Sequence, residues 1–395
     1  MAATLGEQIL IPNFRSLDAC LASTLAPIRY TPLMLMVIFG AGASYDSAPD
    51  FPAPSGLEVI PSEPWRPPLT NDLFLDRNDQ FGDIVQRYPR HRSILPFLRR
   101  PQSGSVEQQL ELYLNQASTD QERQRQLFSV RYYLHDLFRM VSDQWLKRTG
   151  GVTNYATLID QIRHLNTSGD SLCLVSFNYD LLLDHAIFPS GANTEPLERH
   201  FAHTMFKLFK PHGSVDWATL ATGPEASRFP PFANSSRSPR RGPDQLIELA
   251  PELKLSGQYV RANATDAHQM FSFDQSIVPA IAIPVQTKTD DTFEWPDSHR
   301  KYLEELLPRI SQILIIGWRG KEEHFLNLLR EKLPRGGITQ ITHLQIVGSV
   351  SAEVEEISKE FITRINRGVR KVPALHAQGF SDFVRQEQVR FLFKD

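Results

Sequence analysis

Leu35-Met36-Val37-Ile38-Phe39-Gly40-Ala41-Gly42-Ala43-Ser44 is the stretch that decides the fold. Five apolar residues in succession, with no polar alternation, describe a strand buried on both faces rather than one lying half in water. The glycines that follow permit a tight turn out of the strand and a close approach of other groups to its backbone. The apolar run around it, Leu33 to Ala43, is 11 residues long. A membrane-crossing helix needs about 20, so a buried strand is the reading.

Working outward, the same signature returns at Leu172–Phe177, Phe206–Phe209, Ile313–Ile316 and His343–Val347. The last two are each followed by a helical pattern, roughly 321–332 and 351–365. Strands alternating with helices predict an α/β fold, a Rossmann-like parallel sheet with helices on both faces. Between the first two strands, residues 49–68 carry seven prolines, which remove backbone donors and predict a long ordered loop or flap. From about 72 to 165 the pattern is helical. Ser105 and Gln108 have the form of a capping box. Leu127, Val130, Leu134, Leu137, Phe138, Val141 and Trp145 form the stripe of a long amphipathic helix. Tyr155, Leu158, Ile159, Ile162 and Leu165 form that of a shorter one. The expected organisation is a lead-in over 1–32, a Rossmann-like domain over 33–71 and 171–365, an inserted mainly helical subdomain over 72–170, and a C-terminal segment over 366–395.

Of the 395 residues, 41% are hydrophobic and 22% charged, enough apolar material for a sizeable core and too much for global disorder. The net charge of -3 gives no argument for nucleic acid as a direct ligand. The basic stretch within 222–243, with Arg237, Arg240 and Arg241, reads as a solvated loop, with contact to a partner or nucleic acid as the alternative. Two cysteines, Cys20 and Cys173, supply neither a disulfide framework nor a four-cysteine zinc site. The N-terminus, MAATLGEQILIPN, lacks the basic start and apolar stretch of a signal peptide. The expectation is a cytoplasmic protein with no membrane association.

The residues able to do chemistry all follow buried strands, where open parallel sheets bind ligands. The Gly40–Ser44 turn could bring backbone N–H groups to a pyrophosphate, although many strand–helix turns contain a GxG and Tyr45 breaks the longer GxGxxG pattern. The Asn178 amide could hold a ribose hydroxyl or a water; alternatively, Asn178 and Asp180 simply cap the next helix. His212 has the residue type of a general base near neutrality, or it is one more structural histidine among 12.

Taken together and in order, Gly40-Ala41-Gly42-Ala43-Ser44, Phe177-Asn178-Tyr179-Asp180, Lys210-Pro211-His212-Gly213-Ser214 and Ile316-Gly317-Trp318 resemble the motifs of the sirtuin (SIR2) superfamily. They look most like those of the SIR2-like NAD-consuming anti-phage proteins of bacteria. The resemblance covers the frame from about 34 to 350 and leaves out the helical insertion and residues 219–280. It implies that Gly40, Ala41, Gly42, Ala43 and Ser44 wrap the NAD⁺ diphosphate. Asn178 would stand beside the nicotinamide ribose, and His212 would be the base on a ribose hydroxyl or the attacking water. Asp180 would support or contact the ribose, and Gly317 and Trp318 would line the adenosine side.

Departures from the pattern shape what is implied. Sirtuin deacetylases carry a four-cysteine zinc module after the histidine motif, and this chain has no cysteine beyond Cys173. No zinc and no protein deacetylation are therefore expected. Pro211 stands where leucine is usual, Phe177 where threonine is common, and the sirtuin GIPDFR sequence does not occur in the 49–68 loop. The implied function is NAD⁺ glycohydrolysis, giving nicotinamide and ADP-ribose, in an anti-phage effector acting by NAD⁺ depletion. The alternatives are ADP-ribosyl transfer or deacylation, and a non-enzymatic subunit that senses NAD⁺ or ADP-ribose. Such an activity has to be restrained, which points to a homo-oligomer or a partner such as a HerA-like hexameric ATPase or an Argonaute-type sensor.

Overall fold

The computed structural model describes residues 34–53, 63–75, 77, 81–100, 104–188, 197–222, 243–262, 277–285, 293–335 and 341–393. The 1–32 lead-in with Cys20, the centre of the proline-rich loop and the 222–243 basic stretch, apart from residues 222 and 243, lie outside them. Residues from Leu33 onward form one compact unit.

Six strands make a wholly parallel sheet: β1 (Met34–Phe39), β2 (Leu172–Ser176), β3 (Phe206–Phe209), β7 (Ile310–Ile316), β8 (His343–Val347) and β9 (Ala374–His376). Their order in space is β3-β2-β1-β7-β8-β9, the doubly wound Rossmann order, with the direction of winding reversing between β1 and β7. The strand β9 takes the sheet past residue 365, into what the sequence presents as a C-terminal segment. Its three residues are too few for a period-two signal.

Both faces of β1 are apolar, and each meets its own layer. Met34, Met36 and Ile38 pack with α10 (Asp297–Leu306), α11 (Glu323–Lys332) and α12 (Ser351–Ile365). Leu35, Val37 and Phe39 pack with α6 (Asn154–Leu165), α7 (Leu182–Ile187) and α13 (Gly379–Arg385). A strand apolar on both sides is not held in register by polarity, because a one-residue slip exchanges apolar for apolar. The register is instead pinned at the strand end by the glycine turn described below.

The helical insertion divides between two cores. The helices α4 (Val106–Ala117) and α5 (Gln121–Arg148) pack on a three-stranded antiparallel sheet of β4 (Gly213–Thr222), β5 (Lys254–Arg261) and β6 (Ile277–Ile281). Ser105 caps α4, its hydroxyl accepting from Gln108 N at 3.2 Å, and the Asp120 carboxylate caps α5. The helix α6 belongs to the main-sheet layer, and this brings Tyr155 under the β1 turn. Among the described residues, no helix is long and apolar enough to cross a membrane.

Candidate functional site

The turns leaving β1 and β7 interlock at the point where the winding reverses. Gly42 N donates to Gly317 O at 3.1 Å, and Ala43 N to Gly40 O at 2.9 Å. A Cβ on Gly40 would stand 2.5 Å from Gly317 O and 2.6 Å from the Trp318 Cα. Gly317 itself has φ +60°, and a Cβ there would stand 2.5 Å from the Gly42 carbonyl carbon. Close backbone contact between the two turns is therefore what first requires these glycines. Gly40 N donates to Ile316 O at 3.0 Å as well, so three of the N–H groups of this turn are already engaged within the protein. Ala41 and Gly42 remain partly exposed, while Ala43 and Ser44 are buried in the short helix α1 (Ala41–Tyr45).

Beneath this turn, three motif side chains and one unanticipated residue close on each other. Ser44 Oγ donates to Asp180 Oδ2 at 2.7 Å and lies 2.9 Å from the Tyr155 hydroxyl. Asn178 Nδ2 reaches Gly40 O and Ser44 Oγ, both at 2.9 Å, and the Tyr155 hydroxyl at 3.0 Å. The Asp180 Oδ1 accepts from Leu182 N at 3.1 Å, so this residue does start the next helix as well. Burial pushes the Asp180 carboxyl above its ordinary range against the pull of Lys210 and Ser44. Burial, reinforced by Asp180, keeps Tyr155 protonated and available as a donor. Asp180 is thus a support for Ser44, with its carboxylate turned inward.

His212 lies on the other side of Phe177. Its Nδ1 is 3.1 Å from Phe177 O, and a carbonyl can only accept, so Nδ1 carries the proton and a neutral ring has its lone pair on Nε2. Nε2 is 4.0 Å from Glu322 Oε1, while Trp318 Nε1 donates to Glu322 Oε2 at 2.5 Å. Phe177 stacks on Trp318 with ring centres 5.3 Å apart and meets the His212 ring edge-on at 4.8 Å. Trp318 therefore stands on the His212 side of the site. Together with Glu107, Phe138 and Tyr179, His212 and Glu322 line a cavity of about 70 Å³, to whose wall Pro68, at the end of the proline-rich segment, Thr70 and Leu73 also contribute. That segment is held by Arg66, whose guanidinium donates to the carbonyls of Tyr45, Phe51 and Pro52.

Lys210 ties the two halves together. It is wholly buried, and its ammonium donates to Asp180 O at 2.7 Å, Ser214 Oγ at 2.8 Å and Asp184 Oδ2 at 2.9 Å. All three protons are used, and the turn after β2 is locked to the turn after β3. Gly213 completes that turn at φ +80°, where a Cβ would run into the Ala280 carbonyl of β6. A larger crevice, about 470 Å³, opens past α1 at the ends of β8 and β9, lined in part by Asp46, Asn154, Ser349, Gln378 and Ser381. Among the described residues, no group of three or more His, Cys, Asp or Glu is placed to hold a metal ion.

Sequence reasoning missed Tyr155, Lys210 and Glu322 as site residues. Lys210 sits inside a quoted motif and was legible as a buried cation beside a histidine. Tyr155 reads only as one position of an apolar helix stripe. Glu322 follows Trp318 by four residues, a spacing that carries meaning only once the turn after β7 is seen. Compared with protein-family models and with curated proteins, the chain matches none.

Proposed function

We propose that the protein is an NAD⁺ glycohydrolase that cleaves the bond between nicotinamide and ribose. The observation that carries this reading is the convergence at the winding reversal: a histidine in the general-base tautomer stands across Phe177 from a buried Asn–Ser–Asp network at the carboxyl ends of β1, β2 and β3, which Tyr155 of α6 joins from below. In doubly wound sheets this is where nucleotides bind. Nicotinamide is a good leaving group because bond cleavage neutralises its ring nitrogen, so a base and a polar, water-poor pocket suffice. The cavity at His212 is the place for the nicotinamide riboside end, and the 470 Å³ crevice has the dimensions of a nucleoside pocket. At about 70 Å³ the former holds only a few waters, so it has to widen to admit substrate.

The motif resemblance supports a role in anti-phage defence by NAD⁺ depletion, restrained by self-assembly or by a partner protein. Product analysis after incubation with NAD⁺ tests the activity. Wild type should release nicotinamide and ADP-ribose, and Asn178→Ala and His212→Ala should not. Undiminished release by both variants, or label transferred from NAD⁺ to a macromolecule in place of free ADP-ribose, would refute hydrolysis at this site.

A further inference from the structure

A ring of buried side chains lies behind the turn that carries His212. Lys210 donates to Asp184 Oδ2 at 2.9 Å and to Ser214 Oγ at 2.8 Å, and the Ser214 hydroxyl bears in turn on Asp216. Arg261, at the end of β5, gives one arm to Asp216 Oδ2 and the other to His200 Nε2 at 2.8 Å. His200, on α8 (Arg199–Ala202), closes the ring, its Nε2 standing 3.4 Å from Asp184 Oδ1. Resting on the NAD⁺-cleavage reading, we propose that Arg261 is a positioning residue for His212, acting through Asp216 and Lys210. It belongs to the small antiparallel sheet, outside the sirtuin-like motifs.

Charge balance carries the argument. The Asp184 and Asp216 carboxylates face the Lys210 ammonium and the Arg261 guanidinium inside the ring, all of them buried. Burial pushes the Asp216 carboxyl up, but Arg261 first, then Lys210 and His200, draw it below its ordinary value. A guanidinium only donates, so its contact makes His200 Nε2 an acceptor. Burial, reinforced by Arg261, lowers His200 to about 3, and the neutral imidazole leaves Asp184 to Lys210. Without Arg261, Asp216 is a buried carboxylate whose strongest remaining attraction is Lys210. The ammonium is then drawn past Ser214 toward Asp216, away from Asp184 Oδ2 and Asp180 O. Those are the bonds that lock the turn after β3 to the turn after β2. His212 follows Lys210 by two residues and Asn178 precedes Asp180 by two, so the base shifts relative to Asn178. A misplacement of about 1 Å caused far from the chemistry costs about 10² in rate.

Nicotinamide release from NAD⁺, per folded molecule by circular dichroism, tests the role. Arg261→Met should lose about 10²-fold in kcat with little change in KM. Asp216→Asn added to it removes the stranded charge, and the double variant should return to within about fivefold of wild type. Arg261→Lys restores a cation beside Asp216 and should also stay within about fivefold. A residue that only supports the fold would leave kcat per folded molecule unchanged, and its loss would add to that of Asp216→Asn. Should Arg261→Met not fold, Arg261→Gln, which keeps hydrogen-bonding groups without the charge, decides by the same criteria. An active wild type with the uncharged variant within about threefold of it, or a double variant no better than the single one, would overturn the role of Arg261 and leave the NAD⁺-cleavage reading standing. A folded wild type that releases no nicotinamide overturns both.

Discussion

Around Asn178, donors and acceptors close on one another: its amide, the Ser44 and Tyr155 hydroxyls and the Asp180 carboxylate bond within one buried group. Around His212, the imidazole and the Glu322 carboxylate stand 4.0 Å apart beside an aromatic cavity. The two regions are separated on the backbone only by Phe177, whose carbonyl holds the His212 ring. The first arrangement is bonded within itself and specifies one geometry; the second encloses a small space beside the histidine. Bonded buried networks rigidify, whereas a cavity beside a histidine leaves room for a guest. Scaffold and reactive surface therefore sit side by side on consecutive residues.

The largest effect should come from cutting the tie between them. In Lys210→Met the Asp184 carboxylate loses its ammonium partner, and Asp180 O and Ser214 Oγ lose their donor. Breaking a buried pair by removing one partner costs about 3–5 kcal/mol. Urea denaturation should show a loss of that size, and a loss under about 1 kcal/mol would mean that the turns after β2 and β3 are held by packing alone.

Next comes the reactive side. In His212→Gln, volume and a donor for Phe177 O are kept, but the base is lost. Nicotinamide release should fall about 10²–10⁴-fold, while the thermal midpoint stays within a few degrees of wild type. An equal loss of stability and activity would erase the distinction between the two regions.

The comparison also explains what the sequence could reveal. Strands buried on both faces, such as Met34–Phe39 and Leu172–Ser176, announce themselves as unbroken apolar runs. The small sheet does not: β5 is mostly exposed, with Leu255 and Val260 both at 37%. Its strands β4 and β6 pack against α5, and β5 is held by pairing with β4, contacts no local pattern encodes. Within the site, Gly40, Ser44, Asn178 and His212 are legible because strand ends fix their place. Tyr155 is 111 residues from Ser44, and helical periodicity explains its ring without using its hydroxyl. Glu322 looks like any acidic residue opening a helix until its carboxylate is seen turned aside.

A smaller effect tests whether the Asn178 network is one unit. Tyr155→Phe removes a single hydroxyl and keeps the ring against Phe39 and Phe380, 5.2 and 5.5 Å away. Ser44 and Asn178 each lose a partner, at a cost of about 1–2 kcal/mol. Calorimetry should register that loss, with nicotinamide release falling by no more than about tenfold. A drop comparable to that of His212→Gln would place the Tyr155 hydroxyl in the reaction itself.

The smallest effect lies in the pH dependence of Asp180. Its folded carboxyl titrates above the ordinary 3.8 because burial outweighs the opposing Lys210 and Ser44. A carboxyl raised in this way contributes stability fully below the unfolded value, and that contribution is lost as pH rises through the folded one. Asp180→Asn cannot titrate and so cannot lose it. The variant should be less stable than wild type at the acid end, because the amide fits the Ser44 hydroxyl and Leu182 N–H donors less well. The gap should then narrow as pH rises from about 4 toward neutrality, since only wild type weakens over that interval. Paired urea titrations across that range read the difference directly, and effects common to both proteins cancel. A gap that widens with pH would mean that the ionised carboxylate is the better-stabilised form. In that case the attraction of the Lys210 ammonium, rather than burial, governs the Asp180 carboxyl.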